Sequence, residues 1–354
     1  MYYQKIFVNS FKYVIQSSYV FTNICLLKQT RNMFITYLPQ INKIKRNYSG
    51  FQRNNLSRTK GFIISGSFLF NLFTPKEEKE KDDIEELKMI IKRSILLIQK
   101  KEFPKAEQML HIALRQAQTL QHYDGITYVY DVLANLAYEI NNFKKAEILF
   151  KSVLKRLIAK GVPPDDLAVI HISLKIADIY DKIGAKEKAD DGYRFCFHNL
   201  QNHLEKDHEN KDVLQLLGLN LEKYGTMLFA QSQYTNAIKY FNQAYDISVK
   251  IHGEEDEQSI ILLNDLGCVY YMLEKYDQAI ECLSKTVELG KKLPDMDDLG
   301  SIHINLGKAF IAKGLYEEGK KSCSQAEYVA RARNDATSII EATKCLDLIK
   351  NLTQ

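Results

Sequence analysis

Tryptophan is absent from the 354 residues, and there are only six prolines and sixteen glycines. So few helix breakers suit long helices, and no segment reads clearly as a strand. Six cysteines are present, at 25, 196, 268, 282, 323 and 345, but no two form C-x-x-C. Zinc-ribbon and thioredoxin readings therefore lack support. Cys196 and Cys323 read as small hydrophobes at packing positions. No G-x-x-x-x-G-K-[ST] or G-x-G-x-x-G stands at a strand–helix junction, so phosphate-cradling loops are excluded. His198, His203 and His208 are spaced by five, not by the four that aligns two ligands on one helix face. No catalytic residue, cofactor or metal is expected, and the chain does not read as an enzyme.

Acidic residues are missing from the first 76 positions, which carry eleven Lys or Arg. Residues 77–354 hold 37 basic and 44 acidic residues, a balance of −7. A mildly acidic body argues against nucleic acid as partner, since neutralising phosphates needs a basic surface. The acid-free, hydroxyl-rich, apolar-interspersed leader has the composition of a mitochondrial transit peptide, expected over residues 1–48. "KRNYSG" (45–50) resembles a processing site, with Arg46 two residues before Tyr48 and Ser49 as the new N-terminus. A linker follows over 49–76, containing the uncharged stretch "GFIISGSFLFNLF" at 61–73. As a helix it would run about 20 Å, short of the roughly 30 Å hydrocarbon core. It reads as a short membrane anchor, a second sorting signal, or a strip docked on the first repeat.

Beyond residue 77 the chain repeats itself. "YDQAIECL" (276–283) is echoed by "YTNAIKYF" (234–241), "FKKAEILF" (143–150) and "FPKAEQML" (103–110). Each has an aromatic residue, Ala three places on, and a large apolar residue four further. "NDLGCVY" (264–270) is echoed by "INLGKAF" (304–310), "LKIADIY" (174–180) and "VLANLAY" (132–138). Aligning Ala106, Ala146, Ala189, Ala237, Ala279 and Gly319 gives spacings of 40, 43, 48, 42 and 40 residues. A second set of small residues, Ala134, Ala177, Gly225, Gly267 and Gly307, precedes them in phase. Gly267 costs about 1 kcal/mol relative to Ala in a helix, so its presence points to another helix lying against it. "HNLQNHLEKDHENKD" (198–212) reads as a polar insertion within the longest period.

This pattern resembles the tetratricopeptide repeat, in which each unit is an antiparallel pair of helices A and B. The expected fold is all-α: an α-solenoid of about six such pairs in a right-handed superhelix, filling residues 77–354. Repeats are expected near 86–124, 126–160, 169–205, 217–252, 259–292 and 299–335. Such solenoids bind protein segments in a concave groove lined by helix A. Helix phase places Tyr128, Asp131, Asn135, His171, Lys175, Asp178, Asn264, Asp265, Asn305 and Lys308 on that lining. Asp131 stands where a chaperone-type carboxylate clamp wants Lys, so a chaperone tail is not the expected occupant.

The stretches "ITYVYDVLANLAY" (126–138), "AEILFKSVLKRLI" (146–158), "IHISLKIADIY" (170–180) and "DGYRFC" (191–196) are similar to the mitochondrial tetratricopeptide repeat protein 19 family. That resemblance implies a repeat domain attached to the mitochondrial inner membrane and associated with respiratory complex III. It further implies a role in removing fragments of the Rieske iron–sulfur subunit. Two other classes fit parts of the pattern. One is a cytosolic cargo adaptor like the kinesin light chains, whose long repeats "IHGEEDEQSIILLNDLGCVYYMLEKYDQA" (251–279) resembles. The other is a protease acting on the same fragments.

Overall fold

In the computed structural model the described residues are 78–353, apart from 294, 295 and 297. The leader, its processing residues Arg46, Tyr48 and Ser49, and the apolar stretch 61–73 lie outside them. Thirteen helices and no strands occur among the described residues. They are α1 (Glu78–Gln99), α2 (Phe103–Thr119), α3 (Tyr123–Glu139), α4 (Phe143–Ala159), α5 (Leu167–Lys182), α6 (Lys186–Lys206) and α7 (Lys211–Ala230). Then follow α8 (Tyr234–His252), α9 (Glu257–Met272), α10 (Tyr276–Gly290), α11 (Leu299–Ala312), α12 (Tyr316–Ala332) and α13 (Ala336–Thr353). Successive helices pack on one another from α1 to α13. Helices two apart also touch at α1/α3, α5/α7, α9/α11 and α11/α13. All of these are first members of their pairs, so the first helices form the inner layer of an α-solenoid.

Within each pair the same turn recurs. One residue takes a left-handed conformation: Lys101, Asn141, Gly184, Ser232, Glu274 and Gly314 in the six pairs. The next residue then donates its N–H five places back, as in Asn142 to Ala137 (2.8 Å), Lys275 to Tyr270 (2.9 Å) and Leu315 to Phe310 (2.9 Å). This closes the first helix, and an aromatic residue then opens the second in every pair but the third, where Lys186 opens α6. Gly is found at only two of the six left-handed positions, so a search for glycine alone misses most of these turns.

The small residues sit where the helices of a pair approach. Ala106, Ala146, Ala189, Ala237 and Ala279 are fully buried. Ala134, Ala177, Gly225, Gly267, Gly307 and Gly319 are buried too. Gly307 and Gly319 of the sixth pair meet each other, a Cβ on either lying 3.3 Å from the other's carbonyl oxygen, but a larger side chain of the opposite helix lies closer. A Cβ placed on Gly267 would lie 2.6 Å from Leu283 Cγ, and one on Gly225 would lie 3.3 Å from the Phe241 ring. One on Gly307 would meet Cys323 Sγ at 2.4 Å. The first helix thus supplies a notch for the large residue four places after the small residue of the second helix. At Gly319 the roles reverse, with Ile311 of α11 filling the notch at 2.9 Å. In the third pair the notch is met differently, by Ala177 against Gly192 (2.7 Å).

The polar stretch 198–212 is largely helical, because α6 runs to Lys206 and α7 begins at Lys211. Asn210 caps α7 by accepting from the Val213 N–H (3.2 Å), so the surplus residues lengthen helices. A thirteenth helix also follows the sixth pair. Asp335 starts it by accepting from the N–H groups of Thr337 (3.1 Å) and Ser338 (3.2 Å). It buries Ala342 and Ile349, while Thr343, Asp347 and Lys350 are exposed together with Ile340, Leu348 and Leu352. Cys323, read as a packing residue, is joined to Cys345 of α13 by a disulfide bond.

Gly267→Ala tests the pair geometry. The added methyl has no room, because Leu283 is itself fully buried. Overpacking of about 1–3 kcal/mol should outweigh the roughly 1 kcal/mol gained in helix propensity. The urea midpoint should fall; a midpoint equal to or above that of the parent chain would mean that the helices do not meet at Gly267.

Candidate protein-binding site

The inner layer is formed by α1, α3, α5, α7, α9 and α11, with α13 in the same position at the C-terminal end. Helices α3, α5, α7, α9 and α11 are buried along most of their length. In α7, nine of the ten residues from Asn220 to Phe229 are buried, Thr226 being the exception. The inner face is therefore not an apolar trough. It carries a run of polar side chains bonded from one inner helix to the next.

Lys175 of α5 donates to Asn135 Oδ1 of α3 (2.7 Å), and Asn135 donates to the Asp131 carbonyl (2.7 Å). One turn on, the Tyr138 hydroxyl donates to Asp178, which also accepts from Tyr193 (3.4 Å). Gln258 of α9 donates to Glu222 of α7 (2.6 Å). Asn305 of α11 donates to Asn264 of α9 (3.0 Å). Glu341 of α13 pairs with Lys308 of α11 at 3.9 Å and accepts from Lys344 at 2.7 Å. The α3–α5 and α9–α11 bonds join residues 40 or 41 apart, one repeat period. A single lateral offset between inner helices thus brings like positions together.

Burial sets the charges of this ladder. It raises the Asp131 carboxyl, against the opposing pull of Lys175, and lowers the Lys175 ammonium, against the pull of Asp131. His171 is held well below its usual range by burial and then by Lys175. The Tyr128 phenol is pushed up to about 12 by burial and by Asp131. Asp131 Oδ1 has no hydrogen-bond partner among the described residues, and neither ring nitrogen of His303 has one.

Of the ten residues expected to line a groove, Tyr128, Asp131, Lys175, Asp178 and Asn305 are buried. A side chain buried in the free chain offers little to a partner; of these five, Lys175, Asp178 and Asn305 bond from one inner helix to the next. Asn135, His171, Asn264, Asp265 and Lys308 are half-buried and form the accessible part of the face. Glu222 and Gln258 belong to the same ladder and escaped the sequence reading. Position phase identified the face, but the 36-residue step between Glu222 and Gln258 falls off the repeat period. Among the described residues no group of three or more His, Cys, Asp or Glu is placed to hold a metal ion. No helix there is long and apolar enough to cross a membrane.

This architecture is that of a tetratricopeptide repeat solenoid. The family model described as Tetratricopeptide repeat matches residues 216–292. The apo form of the quorum sensor NprR from B. thuringiensis superposes with a TM-score of 0.53, covering 85% of this chain and 83% of that one at 13% identity, a likeness of fold alone. The Drosophila melanogaster protein named Tetratricopeptide repeat protein 19 homolog, mitochondrial is 40% identical over 289 residues, 82% of this chain and 78% of that protein. The Homo sapiens protein named Tetratricopeptide repeat protein 19, mitochondrial is 31% identical over 264 residues, 72% of this chain and 69% of that protein. The chain belongs to the tetratricopeptide repeat protein 19 family.

Two measurements probe the ladder. Lys175→Ala leaves Asn135 and the buried Asp131 without their cation, so it should destabilise the chain by about 3–5 kcal/mol in urea. A loss within roughly 0.5 kcal/mol, typical of surface sites, would mean that Lys175 is not part of the packed interior. The second uses pH. Burial, then Lys291, pushes His303 down to about 4 from 6.5. Between these values the unfolded chain takes up a proton that the folded chain refuses, so stability is lost as pH falls. His171 adds a slope of the same sign, and Asp181, raised to about 6 by burial and Asp178, adds the opposite one. His303→Met should gain stability over the parent by about 2–3 kcal/mol at pH 4 relative to pH 7. A parent–variant difference independent of pH would remove the assignment.

Proposed function

We propose that this chain is a non-catalytic adaptor of the mitochondrial inner membrane that supports respiratory complex III by helping to clear fragments of the Rieske iron–sulfur subunit. The observation that carries the reading is family membership. Relatives at 30–40% identity over most of the chain are named mitochondrial. The acid-free leader supports import, with residues 1–48 as transit peptide and cleavage near Arg46, Tyr48 and Ser49. The uncharged stretch 61–73 then holds the repeat domain at the membrane surface, which raises its effective concentration beside a membrane-embedded partner. The half-buried inner-face residues Asn135, His171, Asn264, Asp265 and Lys308 are the contacts assigned to that partner. Tetratricopeptide repeats serve as protein-binding scaffolds, and a solenoid surface suits an extended or helical protein segment. No small-molecule substrate, cofactor or nucleic acid enters the proposal.

Cells lacking the protein should show lowered complex III activity and accumulated short Rieske fragments. Affinity purification from detergent-solubilised mitochondria should recover complex III subunits, and the mature chain should begin near Ser49. Normal complex III activity without such fragments would overturn the role in complex III, while a cytosolic chain still beginning at Met1 would overturn the compartment.

A further inference from the structure

A cleft of about 500 Å³ opens at the seam between the third and fourth helix pairs. Its walls are the outer helices α6 and α8, and its floor is the C-terminal half of α7, so it stands apart from the bonds between inner helices. Tyr224 is buried at its centre. The phenol donates to Asp190 Oδ1 (2.6 Å) and accepts from Arg194 Nε (3.1 Å), which also lies 3.0 Å from Asp190 Oδ2. Tyr193 stacks on Tyr224 at 5.5 Å, and the Tyr240 ring lies 4.6 Å from it. Aromatic rings thus fix the phenol, and the phenol with Asp190 fixes one edge of the guanidinium.

That arrangement leaves the other edge of Arg194 open. Its side chain is 69% exposed. Neither terminal nitrogen donates a hydrogen bond among the described residues. A guanidinium anchored through Nε and open at Nη1 and Nη2 is shaped to take a carboxylate through two parallel hydrogen bonds. Lys186 and Lys239 line the same cleft, exposed and in no ion pair among the described residues. Against these three cations the lining sets Glu187 and Asp190, the latter already engaged, and Asp191 and Asp181 lie within electrostatic reach of Arg194 and Lys186, respectively. Gln233 and Asn236 border the cleft with amides that can meet an extended backbone, and Leu228 and Tyr240 give it an apolar side.

We propose that this cleft is a second docking site, which takes an acidic segment of a partner protein. One aspartate or glutamate of that segment sits on the terminal nitrogens of Arg194, and a second carboxylate faces Lys239. An apolar side chain between them lies against Tyr240 and Leu228. The site depends on no assumption about the compartment or about complex III, so its failure leaves the adaptor reading intact, and the reverse holds too.

The test uses the full chain and a fluorescein-labelled octapeptide with three glutamates around one phenylalanine, read by fluorescence anisotropy. Arg194→Gln and Lys239→Glu should each weaken binding by about tenfold, the worth of one charge-assisted hydrogen bond or more. Lys239 is exposed and without bonded partners, so its variant should keep the parent circular dichroism and melting. Added salt should weaken binding, and a peptide with glutamine in place of glutamate should not bind. Lys350→Glu, on the distant outer face of α13, should bind as the parent does. The proposal is overturned if the glutamate and glutamine peptides bind alike or neither binds, if Lys239→Glu binds as the parent, or if Lys350→Glu weakens binding equally.

Discussion

The close approach of the two helices of each pair, with a large side chain of one filling the notch left by a missing side chain of the other, is what the rest of the molecule depends on. Gly267 against Leu283 and Gly307 against Cys323 are contacts in which a methyl group has no place. Because the notch lies mid-helix and the partner lies one turn beyond the small residue of the second helix, the contact fixes both crossing point and axial register. The intervening turn must then be short, and a single left-handed residue supplies it. Repeating that unit places each inner helix at nearly the same offset from the last. Asn135 therefore reaches Lys175, and Tyr138 reaches Asp178, through the same 40-residue step.

The ladder of side-chain bonds is a consequence of the register and also a brake on it. Buried ionic groups are costly to leave unpaired. A slip of one residue between α3 and α5 would part Lys175 from Asn135 and Asp178 from Tyr138 together. In a solenoid each unit contacts only its neighbours, and apolar packing alone tolerates small sliding. Directional bonds between inner helices convert that tolerance into one defined curvature. The same bonds occupy groups that would otherwise meet a ligand, so the inner face offers a partner a narrow polar seam rather than an open row of charges.

What the sequence made legible follows the same physics. The aromatic-x-x-Ala pattern and the glycines in phase with it are local signatures of close packing, and they led to the solenoid and to the small residues at its crossings. The third pair, with Ala177 against Gly192, was legible only in part because its notch is shifted by three residues within α6. The helix phase of Asp131, Lys175 and Asp178 was readable, but their burial was not. Burial depends on how tightly neighbouring inner helices close over them, and no single repeat contains that information. Helix α13 and the Cys323–Cys345 bond were missed because α13 carries neither the aromatic-x-x-Ala pattern nor a glycine in phase with it. The cleft at Arg194 involves residues of two different repeats, so no single repeat shows it.

Two faces of the solenoid therefore differ in kind. The inner face is polar, largely self-satisfied and shaped by register, so it can select a partner by fit but has few free charges with which to attract one. The cleft between α6 and α8 sets Lys186 and Lys239 beside an anchored Arg194, so it can take a carboxylate at close range but lacks the length to read much sequence. A scaffold that must recognise short protein segments gains from separating these tasks. Attraction at one site and shape at another act on one partner only if a single segment spans both, and the effective concentration then multiplies two weak contacts into one selective interaction.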